Sequence, residues 1–340
     1  MRQLVLTAPG KVAWEEAPDP VPEARGAVLR PLAVARCDLD APMGLQGIFP
    51  TPFPVGHEIV AEVIDVGRAV GQRRVGERVI VPFQLSCGEC AVCRSDRFGG
   101  CSAFRAPAGG AFGFGSAGGG HGGGMADLIA VPAADHLLIP APDGIPNEVL
   151  CTLPDNVCDA YRTVGPQLET FPGAEVLIIG GTAQSIGLYA AAFAIALGSK
   201  RVRYVDTAAE RCEVAAALGA DVTLSEGAWP QRFDRALITV DNSGDPAGLA
   251  CTLRSTDDYG FCTSVAIYFT PTTEVPLLQM YTKGVTLHAS RADSRRLLPT
   301  VVDLVSSGRI DPARIPTRIE KWETADQVWL EPATKLVLTR

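Results

Sequence analysis

The apolar positions of this chain follow two regimes. Up to Pro140 they come in short alternating runs, and after Glu175 in short continuous runs separated by helical periods. Residues 2–14 alternate and read as an opening hairpin closed by Pro9-Gly10. Residues 26–35, 55–63 and 75–81 read as further strands, with Pro18, Pro20 and Pro22 as a stiff link. Many short strands punctuated by Gly and Pro predict a small β-barrel-like domain. Residues 109–124 are nearly all Gly, Ala and Phe, with His121, and read as a mobile loop leading into a strand at 125–131. A turn at 140–144 marks a domain boundary, and 147–164 carries a helical pattern starting near Pro146.

The second half opens on Val176–Ile179, a β-branched run that predicts a buried strand. Gly180, Gly181 and Thr182 break it, residues 186–197 suit a helix lying on a sheet, and Gly198 ends that helix. A second strand, 202–205, stops at Asp206. Helix 210–218 ends at Gly219. Strands follow at 221–224, at 235–240 before Asp241-Asn242-Ser243-Gly244, and at 261–267 and 285–289. This βαβα alternation predicts a parallel sheet covered on both faces. The tail, with a helix at 301–306 capped by Gly308 and strands at 317–320 and 335–338, is too short for its own core and should fold back onto the first domain.

Strand, glycine turn, helix, strand, acid is the order of a dinucleotide-binding unit. Backbone N–H groups at the turn approach a pyrophosphate at the positive end of the helix, and the acid accepts from ribose hydroxyls. The expected cofactor contacts are Gly180, Gly181, Thr182, Ser185, Ile186, Gly187 and Asp206. Six residues separate Gly180 from Gly187, so the loop is about two longer than in G-x-G-x-x-G. Asp206 favours NAD, because a 2′-phosphate beside it meets like charge worth ~1–4 kcal/mol at about 4 Å; Arg201 and Arg203 could rescue NADP. Residues 176–199 carry no charge and are long enough to span a membrane, but the Gly-Gly-Thr break, Gln184, Ser185 and the following strand argue against that.

A length of 340 residues implies two domains, and a formal charge of −8 makes nucleic acid or an anionic membrane an unsuitable partner. The N-terminus has no signal-peptide pattern, so a reducing cytoplasm is expected. Four of the ten cysteines, Cys87, Cys90, Cys93 and Cys101, stand as C-x2-C-x2-C-x7-C. Four thiolates within fifteen residues can wrap one tetrahedral zinc, which would staple a lobe at 84–104.

Taken in order, several further motifs carry a resemblance. They are Cys37-x-x-Asp40, Gly56-His57-Glu58, Gly76-Glu77-Arg78-Val79, the Cys₄ lobe and the nucleotide unit. The chain resembles the zinc-dependent medium-chain alcohol dehydrogenases over essentially its whole length. That resemblance implies an α/β fold: a GroES-like β-rich catalytic domain (1–156 and 290–340) and a doubly wound Rossmann domain (157–289). It implies a catalytic zinc on Cys37, His57 and Asp155, which stands six residues before Tyr161 where a Cys is more usual. An Asp there is similar to the glutathione-independent formaldehyde dehydrogenases. Glu58 becomes a displaceable fourth ligand, and Asp40 orients the His57 ring. Arg211 lies near the adenosine ribose, and Asn242 and Ser243 on the nicotinamide side.

The implied function is hydride transfer between NAD(H) and an alcohol, aldehyde or ketone, with two zinc ions per chain and a homodimeric or homotetrameric assembly, for which 261–267 and 285–289 are the candidate strands. Two departures bear on it. Leu39 and Pro42 stand where the family passes on the substrate proton, and neither can transfer one. Proton release then falls to water, Glu58 or His121. Asp38 also places negative charge where relatives face the cofactor phosphates. Alternatives are a zinc-free NADPH quinone or enone reductase of the same fold, and a non-catalytic nucleotide-binding redox sensor.

Overall fold

In the computed structural model, which describes residues 1–340, the opening hairpin forms around Pro9-Gly10. β1 (Arg2–Ala8) and β2 (Lys11–Glu16) pair antiparallel. β3 (Ala27–Arg36) is long and mostly buried, and its register shifts between Pro31 and Ala33, as expected of a Pro that cannot donate to the ladder. β4 (Phe53–Pro54) joins the free edge of β1. β5 (Glu58–Val66), β6 (Arg78–Val81), β7 (Ile129–Val131) and β8 (Ile139–Pro140) complete the amino-terminal strands. The alternation turns Leu4, Leu29, Ile59, Val63, Val79 and Val81 into one core, each burial contributing roughly 1.5–3 kcal/mol.

Three sequence readings need correction here. Residues 109–124 are not a free loop. Phe112 N–H donates to Phe83 O at 3.1 Å, Gly113 N–H to Gly122 O at 2.7 Å and Gly124 N–H to Gly56 O at 2.7 Å, and Phe112 is fully buried. Gly113 takes φ +74°, and a Cβ there would lie 2.9 Å from Gly56 O. Its glycines therefore serve close backbone approach as much as mobility. The strand expected at 125–131 begins only at Ile129, because Met125 spends its backbone groups on Leu4 and Val55 instead. The helix expected over 147–164 is broken into a turn at Asn147–Leu150, a π-helical turn at Leu153–Val157 and a helix at Cys158–Thr170. Pro154, which lacks an N–H, sits at the break.

A second unit, Asp159–Arg291 with Ser307–Pro316, is built on a six-stranded sheet. Its strands are β9 (Val176–Ile179), β10 (Val202–Asp206), β11 (Asp221–Leu224), β12 (Ala236–Asp241), β13 (Thr256–Ser264) and β14 (Thr286–Ala289). All pair in parallel in the order β11-β10-β9-β12-β13-β14, so the winding reverses between β9 and β12. β9 and β10 are buried throughout, as strands covered on both faces must be. β13 starts five residues earlier than expected and ends at Ser264, where the side chain turns to Asp241. Two helices were not read from the sequence, Pro246–Ser255 and Leu277–Lys283. The first carries a legible signal: Asp245 caps it by accepting from Ala247 N–H, and Pro246 opens it.

The first unit is Met1–Cys158 with Ala292–Ser306 and Thr317–Arg340. The returning helix is Ser294–Ser306, longer than the expected 301–306. β15 (Arg318–Lys321) and β16 (Leu336–Thr339) follow, and β16 pairs antiparallel with β3. The sheet then reads β15-β16-β3-β5-β6-β8, with β7 also on β3. No helix is long and apolar enough to cross a membrane.

Candidate metal centres and nucleotide turn

Cys87, Cys90, Cys93 and Cys101 converge as the spacing predicts. Their Sγ atoms lie 3.6 Å (Cys87–Cys101), 3.9 Å (Cys87–Cys93) and 3.9 Å (Cys90–Cys101) apart. Four sulfurs at about 2.3 Å around one tetrahedral zinc would be about 3.8 Å apart, so the spacing fits that ion. Backbone N–H groups of Glu89, Cys90 and Cys93 point at the sulfurs of Cys87 and Cys90, as they would toward thiolates.

A second cluster joins Cys37, His57, Glu58 and Asp155, whose ligand atoms lie within 4.8 Å of one another. Cys37 follows the end of β3, His57 immediately precedes β5 and Glu58 opens it, and Asp155 lies in the π-helical turn. Such turns are frequent at functional sites. His57 Nε2 and Asp155 Oδ2 are 3.3 Å apart. Two ligands at 2.0–2.1 Å on a tetrahedral zinc would be separated by about that distance. Burial and the carboxylates of Asp155, Asp40 and Glu58 push the Cys37 thiol well above its usual range. Burial works against the His57 imidazolium, yet Asp40 and then Asp155 outweigh it and lift His57 to about 9. A group of potential anions taken out of water is what a divalent cation resolves, and the donor set, one S, one N and two carboxylates, suits zinc.

The surroundings hold a residue that sequence reasoning missed. Lys335, fully buried just before β16, donates to both Glu58 oxygens at 2.6 and 2.7 Å. Burial raises Glu58 to about 8 against the opposing pull of Lys335. The only signal for it was a lone Lys ahead of the apolar run 336–338. Asp40 Oδ1 faces His57 Nδ1 at 3.7 Å, in ion-pair range but longer than a hydrogen bond. Rings of Phe114 and Phe83 flank His57, with centroids 4.8 and 5.4 Å away, and Phe49 lies 5.6 Å from Phe114. His121 lies instead against Phe104, and its charged form is disfavoured by burial.

In the second unit the glycine turn lies between β9 and the helix Gln184–Ala196. A Cβ on Gly180 would sit 2.1 Å from Asp206 Oδ2, and one on Gly181 would sit 2.6 Å from Ser243 Cα. Gly187 faces Asn242. The turn therefore lies against the strand ends that carry Asp206 and Asn242–Ser243, while Thr182, Ser185 and Ile186 stand around the start of the helix. Asn242 is fully buried beside that helix, and its side-chain Oδ1 and Nδ2 have no protein partner. Asp206 is fully buried and fully engaged. Arg211 donates to both oxygens (2.8 and 2.6 Å), Tyr204 to Oδ2 (2.7 Å) and Ala208 N–H to Oδ1 (3.0 Å). The tyrosine was not anticipated as its partner. The glycine approach and the unpartnered Asn242 fit a dinucleotide; the saturated acid requires that a partner yield before a ribose hydroxyl can bind.

Comparison with known proteins gives the family of the chain. Residues 23–143 match the alcohol dehydrogenase GroES-like domain, and residues 185–307 match the zinc-binding dehydrogenase domain. A probable zinc-binding alcohol dehydrogenase of Mycobacterium tuberculosis is 31% identical over 318 residues, covering 92% of this chain and 80% of that protein. The glutathione-independent formaldehyde dehydrogenase of Pseudomonas aeruginosa is 35% identical over 215 residues, 58% of this chain and 52% of that one. Among solved structures, an alcohol dehydrogenase from Thermus sp. ATN1 aligns with a TM-score of 0.88 at 26% identity, over 100% of this chain and 99% of its own. The chain belongs to the zinc-containing medium-chain alcohol dehydrogenase family, with its GroES-like and zinc-binding dehydrogenase domains, and is a zinc-dependent alcohol dehydrogenase-type oxidoreductase.

Proposed function

We propose that the protein exchanges hydride between NAD(H) and a small alcohol or its aldehyde or ketone, at a zinc held by Cys37, His57 and Asp155. The observation that carries this reading is the convergence of those ligand atoms with Glu58 within 4.8 Å. Bound there, zinc supplies Lewis-acid polarisation of the substrate oxygen, and NAD supplies the hydride acceptor. Cys37 and Asp155 contribute negative charge as ligands, and His57 contributes a neutral nitrogen once it sheds its proton. Asp40 orients the imidazole from its far side. Glu58, tethered by Lys335, is a fourth ligand held in reserve. The Phe83, Phe114 and Phe49 rings exclude water on one side and suit an apolar substituent.

Of the two side chains the sequence offers beside water for the proton, Glu58 stands in the cluster and His121 does not; we assign Glu58 the proton. Asp155 as ligand is supported by its distance to His57 and by the partial similarity to a formaldehyde dehydrogenase. A second, structural zinc belongs to the Cys₄ lobe. NAD, rather than NADP, follows from Asp206, with one Arg211 bond exchanged for a ribose hydroxyl; the turn residues and Asn242–Ser243 hold the rest of the dinucleotide. The protein acts as a homodimer or homotetramer in the cytoplasm, where its ten cysteines stay reduced. A panel of alcohols and aldehydes, run with both cofactors, tests the reading. NAD-linked turnover is expected, and Asp155→Ala should lower it at least ~100-fold with the fold intact. NADPH-driven enone reduction with no metal at Cys37 would instead identify a zinc-free reductase.

A further inference from the structure

We propose that Trp229 is the platform on which the purine base of the dinucleotide stacks; this rests on the nucleotide-binding reading of the second unit. The connection between β11 and β12, residues 225–235, contains no helix. Trp229 and Phe233 cover that part of the sheet instead, packed on Leu177, Ile179, Val205 and Ala236. The start of the connection is fastened to the end of β10, where Ser225 N–H donates to Asp206 O at 2.8 Å. The indole also reaches the β12 side. A Cβ on Gly248 would lie 3.2 Å from Trp229 Nε1 and 2.4 Å from Ser243 Oγ. The indole thus packs on an apolar cluster that includes Val205, the neighbour of Asp206, and its Nε1 lies by Gly248, next to Ser243.

Those two strand ends flank β9, where the sheet order reverses, and ligands of open α/β sheets lie outside the carboxyl ends at such a point. With ribose hydroxyls at Asp206 and pyrophosphate at the start of Gln184–Ala196, the base must lie beyond the ribose, away from that helix. Trp229 is the large aromatic on that rim. It is only half-buried, whereas Trp322 and Trp329, which are core residues, are 0% and 1% exposed. A half-covered indole offers a π face, and every purine has one to match.

ADP-ribose, which carries the base but no nicotinamide, tests this on the full-length protein. Titration should quench part of the tryptophan emission saturably, and Trp229→Phe should remove that quench while binding persists. Trp229→Ala should weaken ADP-ribose binding, by calorimetry, about tenfold or more, with an unchanged affinity for nicotinamide mononucleotide, which lacks the base. If Trp229→Ala and Trp229→Phe both bind ADP-ribose within about twofold of the parent, or if the parent binds it with no change in emission, the stacking role is overturned and the nucleotide site stands. Equal losses for both ligands make Trp229 a structural residue and overturn it too. If the parent binds no ADP-ribose at all, the nucleotide reading falls with it.

Discussion

Lys335 and Glu58 show how much one side chain can decide. Both are fully buried and hydrogen-bonded, and removing one partner of such a pair typically costs about 3–5 kcal/mol. Lys335→Met should therefore lower the unfolding free energy, measured by urea titration, by that order, and double substitution with Glu58→Gln should recover most of the loss. An equally unstable double variant would mean the pair is not the source. The pKa shifts at the site predict a pH dependence of the metal-free protein. His57 rises from 6.5 to about 9 on folding, so its contribution is complete below pH 6.5 and is lost as pH climbs through 9. Glu58, raised to about 8, acts in the same direction, since the folded state holds its proton longer than the unfolded chain. The thermal midpoint of the stripped protein should fall between pH 6.5 and 9, while zinc affinity increases over the same range as the ion displaces protons. A flat or rising midpoint would contradict this assignment. None of it was legible in advance: Lys335 is 277 residues from Glu58, and no local pattern marks an inward-pointing lysine.

Elements set what each motif can do. The C-x2-C-x2-C-x7-C lobe was readable because all four donors lie within one short segment, and two 3-10 turns, Cys93–Ser95 and Phe98–Gly100, fold it around them. Its sparse apolar content leaves the metal as the main organiser, with roughly 10–16 kcal/mol available from such a site. Chelation, or Cys90→Ser, should expose residues 84–104 to protease while strands β9–β14 stay protected; an uncut lobe would show that the segment holds itself. The glycine turn was readable for a similar reason. Its exact fit was not, because Gly180 answers to Asp206 across the sheet. Gly180→Ala should push that carboxylate from its place and weaken NAD binding about tenfold or more, measured by calorimetry. The helix over 147–164 failed as a prediction because periodicity does not register that Pro154 and a π-helical turn re-aim Asp155. The helix at Pro246–Ser255 went unread although its Asp-Pro start is an ordinary cap.

At the scale of the molecule, the two-regime pattern anticipated a mainly antiparallel first half and a parallel second half. The early short runs became mainly antiparallel strands, and the later continuous runs became a parallel sheet, because period and burial are local consequences of sequence. The convergence of Cys37, His57 and Asp155 is not local. His57 and Asp155 are 98 residues apart, and the resemblance alone named them together before the geometry did. The account turns on that convergence, and the zinc content of the purified protein beside its Asp155→Ala variant tests it most directly. Two zinc ions per chain in the parent, one for each ligand cluster, and one in the variant are the predicted values. A single zinc in the parent, or two retained in the variant, would contradict it.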